Sequence, residues 1–349
     1  LETEKGTAYV VSEPIGVLLG VMPWNFPFSQ IARFAGPHIM VGNTVVLKTA
    51  SNIPQCGIAF EEMFTAAGAP KGLYKNLLVS GKDTDSIVEN PKIVGVSLTG
   101  SEAAGAQVAS LAGKNVKPSV LELGGSDPMI VLDDADIEKV MNGTINGRLR
   151  NAGQACTSSK RIIVQEGIYD EYLKQITAYV NNMKVGDPTQ ADTNMGPVSS
   201  ETALVKLLDQ VNQSVEKGAK IVSGGKRIDR DGFFLEPTIL TEIKPGMKAY
   251  DEEIFGPVVC IWKVKDAEEA LKIANDTPFG LGASIYTKNV ELAQKLARRI
   301  DSGMVYVNKQ VSSSPELPFG GTKHSGYGRE LSKARILEFL NKKLVMIAK

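Results

Sequence analysis

Between Ile15 and about Leu123, short and nearly unbroken apolar runs alternate with longer amphipathic ones. The apolar runs Ile15–Val21, Val45–Lys48, Asn76–Ser80, Ile93–Thr99 and Val120–Leu123 predict strands. Between them, Phe28–Val41, Pro54–Ala67, Thr84–Glu89 and Glu102–Ala112 predict helices. Strands this continuously apolar belong to a parallel sheet covered on both faces, the doubly wound arrangement that binds nucleotides at its carboxyl edge. A second alternating block follows. Met129–Leu132, Arg161–Gln165, Lys220–Ser223, Val258–Val264, Gly282–Tyr286 and Met304–Val307 read as strands. Ile168–Met183, Glu201–Glu216, Ala267–Ala274 and Val290–Arg299 read as helices, with Gly218 and Gly303 where helix C-caps belong. At the ends, Thr7–Val11 and Leu344–Ala348 are short β-prone segments, the latter after a helix from Glu330 to Leu340. Strands at chain ends often extend a neighbour's sheet, so both are expected to serve assembly.

The remaining bulk properties mostly exclude. A chain of 349 residues supports two domains with substantial cores. Lys plus Arg and Asp plus Glu balance at 39 each, so nothing points to nucleic acid or an anionic membrane surface. The longest apolar run, Ile15 to Met22, is far too short to span a bilayer, and the first residues lack the form of a signal peptide. Three widely spaced cysteines suit a reducing, cytoplasmic setting. With only two histidines and no Cys/His cluster, no metal site is expected. The acidic run Asp133-Asp134-Ala135-Asp136 is read as the cap of the helix that follows.

Candidate chemistry centres on Cys156, in Asn151-Ala152-Gly153-Gln154-Ala155-Cys156, on a loop beyond an amphipathic run from Asp136 to Arg150 that reads as a helix. A cysteine alone is more often a small buried apolar residue than a nucleophile. Its distant companions change that. They are Pro23-Trp24-Asn25-Phe26-Pro27, Thr99-Gly100-Ser101 with Gly105, Leu121-Glu122-Leu123-Gly124-Gly125, Glu253-Ile254-Phe255-Gly256-Pro257 and Pro318-Phe319-Gly320-Gly321. In this order and spacing the set resembles the NAD(P)-dependent aldehyde dehydrogenase superfamily, from about Ser12 to the C-terminus.

The resemblance implies an α/β fold: a Rossmann-type cofactor domain (13–124), an α/β catalytic domain (125–318) and a return to the cofactor side (319–340). Residues 1–12 and 341–349 would form a small β oligomerisation element. It implies that Cys156 attacks the aldehyde as thiolate, that Asn25 and the Cys156 backbone N–H hold the oxyanion, and that Glu122 is the general base that releases the acid. Trp24, Lys48, Ser51, Gly100, Ser101, Leu123, Glu253 and Phe255 would bind NADP or NAD. Gly100 and Gly105 have P-loop spacing, but no Lys-Ser/Thr follows, so a Walker site is rejected. Ser51 stands where many NAD-preferring members carry glutamate, which removes a charge that would repel a 2′-phosphate and predicts that NADP is accepted.

Among family members, Glu122-Leu-Gly-Gly-Ser-Asp-Pro128 is most similar to succinate-semialdehyde dehydrogenases. That resemblance implies that Arg33, Arg150 and Ser314 hold the carboxylate of a small semialdehyde. It also implies a homodimer or homotetramer; from the balanced charge and short apolar runs, no nucleic-acid or membrane partner is expected. Ser158 occupies the place where some relatives have a second cysteine, so a local disulfide switch is not expected. Family members normally carry a long stretch ahead of the Thr7 strand that is missing from this sequence, as expected of a truncated gene product or of an incompletely recorded chain. Three other readings compete: a CoA-acylating enzyme, against which Glu122 argues because that chemistry needs no water-activating base; a chain that only binds nucleotide or serves assembly; and a hydrolase with cofactor-free esterase activity alone. Cofactor-dependent turnover separates them.

Overall fold

The computed structural model describes residues 2–348, which fall into two units. The first comprises the residues up to Leu123, the segment Ser313–Gly320 and the residues from Gly326 on; the second comprises Gly124–Ser312 and Gly321–Ser325.

In the first unit, a six-stranded sheet runs in the order Gly326–Tyr327, Ser119–Glu122, Ile93–Thr99, Val17–Met22, Thr44–Thr49, Tyr74–Leu77. All neighbours are parallel except the first pair. Alternation along each strand sends side chains to opposite faces. Leu18, Val45, Leu47 and Val120 join Ile31 and Phe34 of the helix Pro27–Met40 in one core. Leu19, Val96, Leu98 and Leu121 join Val108 of the helix Glu102–Lys114 in the other. Both faces are therefore covered, which is why these strands read as continuous apolar runs. The strand expected at Asn76–Ser80 lies instead at Tyr74–Leu77, in register with Val45–Lys48. Tyr74, outside the apolar run, is its buried anchor, stacked on Phe64.

The chain-end segments form longer strands than expected, Gly6–Pro14 and Leu340–Ala348. They pair antiparallel with each other, from Leu340 with Pro14 to Ala348 with Gly6. The helix before the last strand is shorter than expected, Ser332–Glu338.

In the second unit, a seven-stranded sheet has the order Lys220–Ser223, Thr238–Thr241, Val258–Val264, Arg161–Gln165, Pro128–Val131, Gly282–Tyr286, Met304–Val307. Thr238–Thr241 was not visible as a strand, being only four residues behind Pro237, yet all four are buried. Lys220–Ser223 pairs with it antiparallel, an edge strand with three exposed residues. Gly218 follows the helix Glu201–Glu216 at a φ of +106°, as a C-cap requires. Gly303 does not cap: the helix Val290–Ala297 ends well before it, and its N–H donates to Gly280. Within the acidic run, Asp136 caps the helix Ile137–Thr144. Asp133 accepts from the Gly167 N–H, and Asp134 from Thr287 Oγ1 and the N–H groups of Lys288 and Asn289. That run serves loop geometry.

The helix expected over Asp136–Arg150 is α-helical only to Thr144. It continues as a π turn over Ile145–Leu149 and then a kinked 3-10 turn over Arg150–Gly153, where Asn151 and Ala152 have positive φ. The wider turn turns both Arg148 and Leu149 inward, and the kink delivers the loop that carries Cys156.

Candidate active site

In the first unit, the strands Val17–Met22, Thr44–Thr49 and Ile93–Thr99 are parallel neighbours, so their carboxyl ends share one edge of the sheet. The expected residues follow from those ends. Trp24 and Asn25 are half-buried on the turn before the helix Pro27–Met40. Lys48 is buried near the end of its strand, where burial lowers the pKa of its amine, and Ser51 is exposed on the turn beyond. Gly100 donates its N–H to the Glu122 carbonyl at 2.9 Å. Ser101 is the N-cap of Glu102–Lys114, its hydroxyl accepting from the Ala104 N–H. Such an edge, with a helix N-terminus and a buried amine, fits a phosphate-bearing nucleotide. Thr99 Oγ1, buried at the same strand end, has no hydrogen-bond partner among the described residues, as a hydroxyl kept for a ligand would be. The Leu123 side chain is buried in the core under Glu102–Lys114, so only its backbone can face a cofactor.

Glu122 ends the strand Ser119–Glu122 and is 2% exposed. Neither carboxylate oxygen has a hydrogen-bond partner among the described residues. Burial pushes its pKa well above the ordinary carboxylate range, and the charge of Glu330 adds to the rise. Arg33, Arg335 and Arg329 pull the other way. Space for the carboxylate depends on Gly320, whose φ is +153°: a Cβ there would stand 2.7 Å from Glu122 Oε1. The glycine of Pro318-Phe319-Gly320-Gly321 thus has a steric task in this unit.

Arg33 and Ser314 line one cavity of about 800 Å³, together with Pro315, Glu316, Lys333 and Ile336. Both already have partners. Arg33 Nε stands 2.5 Å from Glu330 Oε2, with its guanidinium 4.6 Å from the centre of the Phe319 ring. The Ser314 hydroxyl donates to Glu316. Lys333, exposed on the same wall, is a cation that the motifs did not announce.

In the second unit, Cys156 is half-buried on its loop, and all three cysteines are thiols. Its carbonyl and that of Ala155 each accept from Lys160 Nζ at 2.9 Å. Lys160 also pairs with Glu253 Oε1 at 3.0 Å, and that oxygen accepts from the Gly125 N–H at 3.1 Å. A Cβ on Gly124 would lie 2.5 Å from Glu253 Oε2, so the Gly-Gly pair makes room for this carboxylate. The Phe255 ring centre is 5.6 Å from the Lys160 ammonium. Cys156, Glu253 and Phe255 are therefore tied through a residue that the motif comparison passed over. Arg150 is exposed on the kink before the loop.

Arg148 was also missed. Fully buried, it donates to the carbonyls of Val258 (2.8 Å), Ile254 (3.0 Å), Gly256 (2.6 Å) and Gly153 (3.4 Å), and to Ser158 Oγ at 2.7 Å. One guanidinium fixes the Glu253–Pro257 motif and the Cys156 loop together. Ser158 thus has a structural reason to be a hydroxyl. The sequence signal was an arginine at an inward helical position; nothing in the sequence named its acceptors.

Residues 1–345 match the model of the aldehyde dehydrogenase family. The chain belongs to the aldehyde dehydrogenase family. It is 47% identical over 341 residues to the succinate-semialdehyde dehydrogenase (NADP+) of Deinococcus radiodurans, covering 98% of this chain and 72% of that one. To the probable enzyme of the same name from Synechocystis it is 45% identical, covering 99% and 76%. Among solved structures, succinic semialdehyde dehydrogenase from Streptococcus pyogenes, in complex with NADP+, superposes with a TM-score of 0.97 at 45% identity, over 100% of this chain and 77% of that one. Lactaldehyde dehydrogenase from Escherichia coli gives 0.96 at 34%, over 99% and 73%. At these identities the aldehyde dehydrogenase shares the fold of these structures and their class of chemistry: it is an oxidoreductase that acts on an aldehyde. No helix among its described residues is long and apolar enough to cross a membrane.

Proposed function

We propose that this aldehyde dehydrogenase oxidises succinate semialdehyde to the dicarboxylate, with NADP accepted and NAD as the alternative. The observation that carries the substrate is the cavity shared by Arg33 and Ser314. The relatives at 45% identity and above, named for this substrate and cofactor, support it. Arg150 is assigned to the same carboxylate by motif position.

The Cys156 thiolate adds to the aldehyde carbon, forming a C–S bond and an oxyanion. The Cys156 N–H and the Asn25 amide donate to that oxyanion. Lys48, Ser51, Gly100, Ser101, Leu123, Glu253, Phe255 and Trp24 are the residues that would hold the cofactor. When bound, its nicotinamide supplies the acceptor for the hydride lost as the oxyanion collapses to a thioester. Glu122 then takes a proton from water, whose oxygen attacks the thioester carbon; the C–S bond breaks, releasing the acid and restoring the Cys156 thiolate. Ser51 offers no charge to oppose a 2′-phosphate, and Lys48 offers a cation to attract it. We also place the enzyme in the cytoplasm, where its thiols stay reduced, as a homodimer or homotetramer assembled through the paired strands Gly6–Pro14 and Leu340–Ala348. Exposed Tyr9, Val10, Leu344 and Ile347 provide apolar surface there.

The test compares succinate semialdehyde with butanal in wild type, Arg33→Met and Arg150→Met. We expect the wild type to favour the semialdehyde in kcat/KM, and each variant to lose roughly tenfold or more of that preference, chiefly through KM. Equal kcat/KM for the two aldehydes in the wild type would discard the carboxylate pocket while leaving the aldehyde oxidation standing.

A further inference from the structure

Lys160 lies four residues beyond Cys156, and its side chain is 1% exposed. A lysine is rarely buried unless its charge is answered. Its ammonium has three N–H bonds, and three acceptors surround it: the carbonyls of Ala155 and Cys156, each at 2.9 Å, and Glu253 Oε1 at 3.0 Å. No donor is left over. A group whose every bond is committed in this way holds its neighbours in one arrangement.

Two of those acceptors have specific consequences. The Ala155 carbonyl belongs to the same peptide group as the Cys156 N–H. In a planar trans peptide the C=O and N–H point in opposite directions, so fixing the oxygen fixes the line along which the N–H is aimed. That N–H is the backbone donor assigned above to the oxyanion. Glu253, in turn, is the carboxylate assigned to the cofactor.

We propose that Lys160 is a positioning residue that aims the Cys156 N–H at the developing oxyanion and, through Glu253, ties that aim to the cofactor-binding carboxylate. The proposal rests on the aldehyde oxidation described above. Lys160 touches neither aldehyde nor hydride; it acts through the peptide it grips. Its ammonium also places a positive charge on the loop of the thiol, which favours the thiolate.

The experiment uses wild type, Lys160→Met, Lys160→Gln and Lys160→Arg, each checked for native circular dichroism, with Cys156→Ala as control. Loss of a whole oxyanion donor costs on the order of 10²–10³ in kcat, and a mis-aimed donor costs less. Lys160→Met is therefore expected to lose about 10–100-fold in kcat, while the KM for aldehyde stays within about threefold. Lys160→Gln, with two donors and no charge, should fall between it and the wild type. Lys160→Arg should recover at least about a tenth of wild-type kcat, which loss through simple misfolding would not predict.

A second readout needs no turnover. Alkylation of Cys156 by iodoacetamide, followed at the peptide level, should slow several-fold in Lys160→Met and stay near the wild-type rate in Lys160→Arg. A folded Lys160→Met or Lys160→Gln with wild-type kcat and alkylation rate would overturn the proposal. So would equal losses in the Met and Arg variants, the mark of a merely structural lysine. If the wild type showed no Cys156-dependent turnover, the functional reading would fail first, and equal alkylation rates across the set would then sink the role of Lys160 separately.

Discussion

Glu122 illustrates how a residue's surroundings set its chemistry. As the proposed general base it would work only when ionised, yet burial and the neighbouring Glu330 both favour its protonated form. Turnover limited by thioester hydrolysis should therefore fall as pH drops through a midpoint well above the usual carboxylate range. Glu122→Gln should abolish that limb and leave a low, flat rate. Glu330→Gln should move the limb toward lower pH, since it removes a raising charge and frees Arg33 and Arg335 to act on Glu122. A midpoint unmoved in Glu330→Gln would show that Glu330 does not govern the base. Stability runs opposite to activity. A carboxyl whose folded pKa is raised is tolerated below its unfolded pKa, and its burial becomes costly as pH rises through the folded value. At this scale the motifs singled out Glu122 and Cys156 as candidates. They did not disclose Lys160 or Arg148, because a buried cation is defined by its acceptors, and those are backbone carbonyls contributed by distant segments.

At the scale of elements, legibility followed hydrophobic pattern. Ile93–Thr99, Arg161–Gln165, Val258–Val264, Gly282–Tyr286 and Glu201–Glu216 begin and end where apolar periodicity places them. Thr238–Thr241 was lost because four residues between turn formers carry too little pattern, and its burial comes from sheet neighbours on both sides. The run Asp136–Arg150 failed differently. Its amphipathic period is helical, but the chain widens into a π turn over Ile145–Leu149 that local propensity does not encode. Arg148 explains what the distortion accomplishes, since its guanidinium there reaches four carbonyls and a hydroxyl. Arg148→Met would leave several buried acceptors unmatched, at roughly 1–3 kcal/mol each. We expect a loss of at least ~3 kcal/mol in the denaturant stability of the second unit, with slower and less selective alkylation of Cys156. A stability within about 1 kcal/mol of wild type would mean that water replaces the guanidinium without cost.

For the whole molecule, the chemistry is divided between the two units. The first carries Glu122 and Asn25, the proposed base and oxyanion donor, with the sheet edge that suits a nucleotide and the Arg33–Ser314 cavity. The second carries the thiol with its Lys160–Glu253 brace. Balanced charge and spread cysteines excluded classes of function without selecting one, and the selection came from motifs scattered across the length of the chain. The central claim is that Cys156 carries the acyl group which Glu122 releases. It is tested most directly by mixing Glu122→Gln with succinate semialdehyde and NADP+ and measuring both NADPH and intact mass. A burst approaching one NADPH per chain, with a succinyl adduct on the Cys156 peptide and neither signal in Cys156→Ala, is the predicted result. Steady NADPH formation by Cys156→Ala, or an adduct carried on another residue, would contradict it.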